Sequence, residues 1–180
     1  MLMASGLNYG LRRSLPHYLG IVFGFPLMIL AVGLGIAQIF DAFPILHNIL
    51  KVVGAAYLSY LAYKIATAPV NANAVNTGNP FTFLQAAAFQ WVNPKAWVMA
   101  VGAIVTYTSI GNDYLIEVTV ITALFFLIGV PCIGCWLWLG ASLQRILKSP
   151  QAIRWFNWSM ATLLLASLIP VFIDLYRTLV

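Results

Sequence analysis

Apolar residues fall along this chain in five long runs: about 18–39, 45–66, 81–109, 115–143 and 155–176. Each reaches the roughly 20 residues with which a helix crosses about 30 Å of hydrocarbon. Five transmembrane helices are predicted. The connections between them are short except for TAPVNANAVNTGNP (67–80), an Asn-, Gly- and Pro-rich linker that divides the chain in two. Residues 1–180 read as a single all-α integral membrane domain.

Composition agrees on the solvent. Hydrophobic residues make up 62% of the chain and charged residues 7%, with a mean hydropathy of +0.93. Soluble domains carry about a quarter charged residues, and no single core could bury this much apolar surface. The bilayer must take up the remainder. The net charge of +5 is then an orientation signal, and no nucleic-acid partner is expected.

Arg12, Arg13, Lys64, Arg145, Lys148 and Arg154 fall on one side if the spans alternate. Asp41, Asp113, Glu117, Asp174 and Arg177 fall on the other. This asymmetry places the start of the chain and the 67–80 linker in the cytoplasm and the C-terminus in the periplasm. Lys51, just inside the second run, is read as snorkelling outward.

One run contradicts its own character. FQWVNPKAWVM (89–99) puts an Asn-Pro break and a lysine in the middle of 81–109. As one helix that run is about 43 Å long, with Lys95 about 21 Å from either end and so near mid-depth. Pro94 has no N–H, so the carbonyl of Gln90 loses its usual partner and Asn93 is pushed out of helical geometry. Freed backbone groups at that depth need protein or a watery cavity, because lipid offers them nothing. Gln90, Asn93 and Trp97 share a helix face. A plain kink with a snorkelling lysine is one reading of the stretch. A site for a polar solute at a broken helix is the other, favoured by the cost of an ionisable group at mid-depth. Gln90, Asn93, Pro94, Lys95 and Trp97 are its candidate residues.

The other polar residues carry less. Cys132 and Cys135 share a helix face, and inert packing is expected of them. His17 and His47 sit at span ends, and Asn157 and Asp174 lie near opposite ends of the last span. No His, Cys or carboxylate set has metal-ligand spacing, so neither metal nor cofactor is expected. No nucleophile–base set converges either, which counts against a membrane enzyme. Gly20, Gly24, Gly33 and Gly35 read as close-packing positions.

NYGLRRSLPHYLGIVFG (8–24), VVGAAYLSYLAYKIATAP (52–69) and FTFLQAAAFQWVNPKAWVMAVGA (81–103) resemble the LysE/RhtB family of bacterial amino-acid exporters. The second stretch is most similar to the branch that exports cysteine and O-acetylserine. The resemblance implies six membrane helices in two related halves in the bacterial inner membrane. It also implies export of small amino acids or their derivatives, driven by the proton gradient. Expected partners are a small amino-acid substrate and membrane lipid, with a homodimer left open.

One family element is not matched. The family's first helix carries Pro-Gly-Pro-Asn, and MLMASGLNYG resembles only the tail of that helix. A truncated gene or a misassigned start is the expectation, and a non-transporting remnant is the alternative to an exporter. In the exporter reading, the substrate carboxylate meets Lys95 and the first N–H groups of the half-helix there. Its ammonium faces the Gln90 carbonyl, the Asn93 side chain and the rings of Trp91 or Trp97.

Overall fold

The computed structural model describes residues 1–36, 44–68, 79–109, 111–147 and 149–173. Asp41, Lys148, Asp174, Arg177 and residues 69–78 of the linker lie outside them, as do the side chains of His47 and Arg145.

Seven α-helices run through the described residues, which contain no strand: α1 Leu2–Arg13, α2 Leu15–Ala31, α3 Pro44–Ala66, α4 Phe83–Val92, α5 Pro94–Tyr107, α6 Tyr114–Ile146 and α7 Pro150–Ala166. Prolines open α2, α5 and α7, where the missing N–H costs nothing and the fixed φ suits a first turn. Thr82 starts α4 with a capping box. Its hydroxyl accepts from the Gln85 N–H at 3.2 Å, while the Gln85 side chain accepts from the Thr82 N–H at 3.1 Å. A π turn, Val32–Ile36, follows α2, with Gly35 at φ 101°. That left-handed value suits a residue without Cβ.

Leu15–Gly35, Tyr114–Gln144 and Pro150–Ile173 are each long and apolar enough to cross a membrane by length and composition. The 23 residues of α3 match the second predicted run, 45–66. The third run, 81–109, is not one helix. It divides into α4 and α5, about 15 Å and 21 Å long, neither of which spans hydrocarbon alone.

The outer surface is apolar. Leu27, Val98, Val105, Leu127, Trp138 and Leu163 are all exposed, as expected where lipid is the solvent. Cys132 and Cys135 also lie exposed on α6 as free thiols. They are not the interior packing residues their apolar setting suggests.

Packing is densest where small residues let backbones meet. A methyl group at Gly6 of α1 would fall 2.6 Å from the Leu137 carbonyl, and one at Gly140 of α6 would overlap the Met3 carbonyl. Gly20 and Gly24 of α2 are pressed in the same way against Phe83, Ala86 and Ala87 of α4. Gly33 sits against the Val118 side chain. Such close approach is how helices associate without a hydrophobic driving force between them.

The pairing has a two-fold form: α1 lies on α6, α2 on α4, and α3 on α7. The leading helix of each half therefore sits on glycines of the helix that follows the leading segment in the other. One core gathers Met28, Ile29 and Val32 with Ala96, Trp97, Ala100, Val118 and Ile121. A second joins Leu58, Leu61, Phe89 and Leu168.

Candidate functional site

In an unbroken helix the N–H groups of residues 94, 95 and 96 would serve the carbonyls of 90, 91 and 92. At the α4–α5 junction none of them does. Pro94 has no N–H, and Asn93 is extended at φ −90° and ψ 109°. The Lys95 N–H donates to Asn93 Oδ1 at 3.2 Å, and the Ala96 and Trp97 N–H groups donate to the Asn93 carbonyl at 3.0 and 3.3 Å. Asn93 thus caps α5 with both its side chain and its backbone.

The stranded carbonyls find other neighbours. Gln90 O accepts from the Asn93 N–H at 3.4 Å. Trp91 O accepts from the indole N–H of Trp97 at 2.8 Å, and the two rings meet edge to face at 6.1 Å. Val92 O points at Gly54 of α3, where a methyl group would overlap it. The break is built into the fold by groups from α3, α4 and α5.

Each predicted residue has a definite place. Gln90 is buried, and its Nε2 donates to Ala86 O at 3.1 Å. Trp97 is buried in the first core. Asn93 and Pro94 are half-buried at the junction, and Lys95 is exposed at the head of α5. The Lys95 side chain meets no acid among the described residues. The expected freed carbonyl of Gln90 and open N–H groups of α5 are paired within the protein, so a solute would have to exchange with them.

A second polar group was not anticipated. Asn8 of α1 and Asn157 of α7 exchange amide hydrogen bonds at 3.0 and 3.1 Å, and Asn157 is fully buried. Asn8 Nδ2 also donates to Ala4 O at 2.9 Å. Nearby in sequence, the buried Ser5 hydroxyl donates to that of Ser14 at 2.9 Å. His17 is 3% exposed, lies edge-on to Phe81 at 4.9 Å, and its Nδ1 is buried without a hydrogen-bond partner in the described structure. A buried, unpaired nitrogen costs about 1–3 kcal/mol. The signal for this group was the presence of Asn, Ser and His in spans where polar residues normally face a partner. The partners themselves lie up to 149 positions away.

Among the described residues no group of three or more His, Cys, Asp or Glu could hold a metal.

Comparison with known proteins agrees with this architecture. The family model described as "LysE type translocator" matches residues 1–172. The cysteine/O-acetylserine efflux proteins of Escherichia coli K12 and Shigella flexneri serotype 5b are each 30% identical over 172 residues, 94% of this chain and 86% of theirs. That of Escherichia coli O1:K1 / APEC aligns with the same identity and coverage. No solved structure matches. The chain belongs to the LysE family of translocators, membrane proteins that export amino acids and do not transform them.

Proposed function

We propose that the protein exports small amino acids or their derivatives, of the cysteine, O-acetylserine, homoserine or threonine kind, across the bacterial inner membrane. Proton-driven secondary transport is the proposed mode, and the α4–α5 break the proposed solute site. The observation that carries this reading is the capped half-helix α5, which presents Lys95 at its head within an otherwise apolar protein.

The capping bond suggests how a zwitterion binds. Asn93 Oδ1 and the Lys95 N–H already form an acceptor–donor pair. A substrate can insert between them, its ammonium donating to Asn93 Oδ1 and its carboxylate accepting from the Lys95 N–H. The Lys95 ammonium adds a charge-assisted bond to that carboxylate, at a helix N-terminus where negative charge is favoured. The Trp91 and Trp97 rings, which meet edge to face, offer π faces to the ammonium, and Gln90 is the further polar residue of the reading.

The test is efflux from cells or proteoliposomes of the full-length gene product. Labelled cysteine, O-acetylserine, homoserine and threonine form the panel, with and without an uncoupler. Uncoupler-sensitive efflux of at least one is expected. Efflux of none above an empty-vector control would leave the remnant reading.

The charge distribution sets the proposed topology, with five spans and a two-copy assembly open to test. A reporter fused after Val180 should be periplasmic, and one inserted near Asn76 cytoplasmic. The reverse pattern would refute it.

A further inference from the structure

Two phenols tie α2 to α6 at opposite ends of their contact. The helices run antiparallel, because partner numbers fall along α6 as they rise along α2: Tyr18 with Val130, Phe23 with Phe126, Phe25 with Phe125 and Gly33 with Val118. At one end the Tyr18 hydroxyl donates to the Val130 carbonyl at 2.8 Å. At the other the Tyr114 hydroxyl donates to the Gly33 carbonyl, also at 2.8 Å, in the π turn after α2. About 24 Å of α6, from Tyr114 to Val130, separates the two bonds. The pattern is reciprocal: each helix supplies a phenol from its first turn and a carbonyl from further along.

Between these bonds the pair is built to bend. α2 contains Pro26 and α6 contains Pro131, so the carbonyls of Val22 and Leu127 receive no N–H from four residues on. Those two residues lie at one level of the pair, since their neighbours Phe23 and Phe126 meet at 5.2 Å. Proline is a usual cause of helix kinks. A cavity of about 680 Å³ runs beside the same stretch, lined by Val22, Phe25 and Pro26 of α2, Met99 of α5 and residues of α6 between Ile116 and Ile133. On that side the helices have room to move without breaking close packing. A hydrogen bond between membrane helices shifts an equilibrium by about threefold on average and by about fifteenfold at most. A bond of that strength biases a motion without locking it.

We propose that Tyr18 and Tyr114 are the two gate residues of the transport cycle. α2 and α6 rock about Pro26 and Pro131 so that one phenol bond opens at a time. In the topology proposed above, Tyr18 follows Arg12 and Arg13 and closes the cytoplasmic end, while Tyr114 follows Asp113 and closes the periplasmic end. The structure holds both bonds, the closed form through which the two open forms interconvert. Opening at one end and then the other is how a site within the membrane meets each side in turn. The use of the motion rests on the export reading; the motion itself does not.

The test is spin-label distance measurement on the purified full-length protein in nanodiscs, with the exposed Cys132 and Cys135 changed to serine. Labels at Leu15→Cys and Trp136→Cys report the Tyr18 end, and labels at Leu34→Cys and Leu115→Cys report the Tyr114 end; all four positions are exposed. Tyr18→Phe keeps the ring and removes only the hydroxyl. It should raise the long-distance population at the Tyr18 end by about three- to fifteenfold and leave the other end closed. Tyr114→Phe should do the reverse. Uptake of labelled L-cysteine into inside-out vesicles, under reducing conditions, gives a second readout. Its KM should fall in Tyr18→Phe and rise in Tyr114→Phe, because solute from the cytoplasm binds only when that end is open. Opening of both ends by each variant, opening of the same end by both, or distances identical to wild type would overturn the gates. A rise of KM in both variants would also overturn them, as an ordinary loss of packing. End-specific opening without cysteine uptake would support the gates and count against the export reading for cysteine.

Discussion

Lys95→Met is expected to abolish amino-acid export while the protein still inserts and folds normally. The side chain is exposed at the head of α5 and meets no acid among the described residues. Its loss therefore breaks no ion pair among the described residues, and methionine fills a similar volume while relieving a costly charge. A residue that only snorkelled would tolerate the change with near-normal efflux. If the ammonium binds the substrate carboxylate, efflux falls to background, and Lys95→Arg impairs it because the planar fork has a different reach.

Pro94→Ala makes the companion test. It gives residue 94 an N–H that can reach the Gln90 carbonyl and draws Asn93 towards helical geometry. Asn93 would then give up its cap on the Lys95 N–H, the pair into which the substrate is proposed to insert. Export should fall without loss of stability, an unusual direction for a packing change. The measurement is efflux of labelled amino acid per unit of membrane-inserted protein. Near-normal export by both variants would leave the junction as a kink.

How far the sequence could be read follows from the range of each signal. The solvent and the helical class were legible because they depend on composition and run length. The position of the break was legible because Pro94 acts on its own backbone and on that of Asn93. What the break does with its carbonyls was not. Trp97 Nε1 reaches back to Trp91 O only after the chain has bent, and Gly54 meets Val92 O only after α3 has packed on α4. Both are consequences of tertiary structure, invisible in a window of neighbouring residues.

Asn157 shows the same limit from another side. In sequence it is one polar residue near one end of the last apolar run. In the fold it is fully buried and pairs with Asn8 through both amide atoms. Bonds of this kind between membrane helices contribute about 0.6 kcal/mol on average, so the pair fixes the register of α1 against α7 more than it stabilises the bundle. His17 sits at a span end in the sequence, but in the fold it is buried and packs edge-on to Phe81.

Gly54→Ala is expected to be among the most damaging single-methyl changes in the protein, although it lies 41 positions from Lys95. An added methyl would overlap the Val92 carbonyl oxygen, which is backbone and cannot rotate away. Moving that oxygen means moving the end of α4, held by the Asn93 cap and the Trp97–Trp91 bond. The alternative is to separate α3 from α4 and loosen the core of Leu58, Leu61 and Phe89. Overpacking of well-filled sites costs about 1–3 kcal/mol and more where the neighbour is rigid, so the upper end is expected. Gly102→Ala provides the control. Gly102 lies inside α5 with nothing within 4 Å of the position a methyl would take, and alanine there should gain up to about 1 kcal/mol of helix propensity. Thermal unfolding in detergent and efflux per inserted molecule measure both variants. Gly54→Ala should unfold well below wild type and lose export, while Gly102→Ala should match or exceed wild type in both. Equal melting of the two variants would mean that Gly54 does not hold α3 against the break, and that the junction is set by α4 and α5 alone.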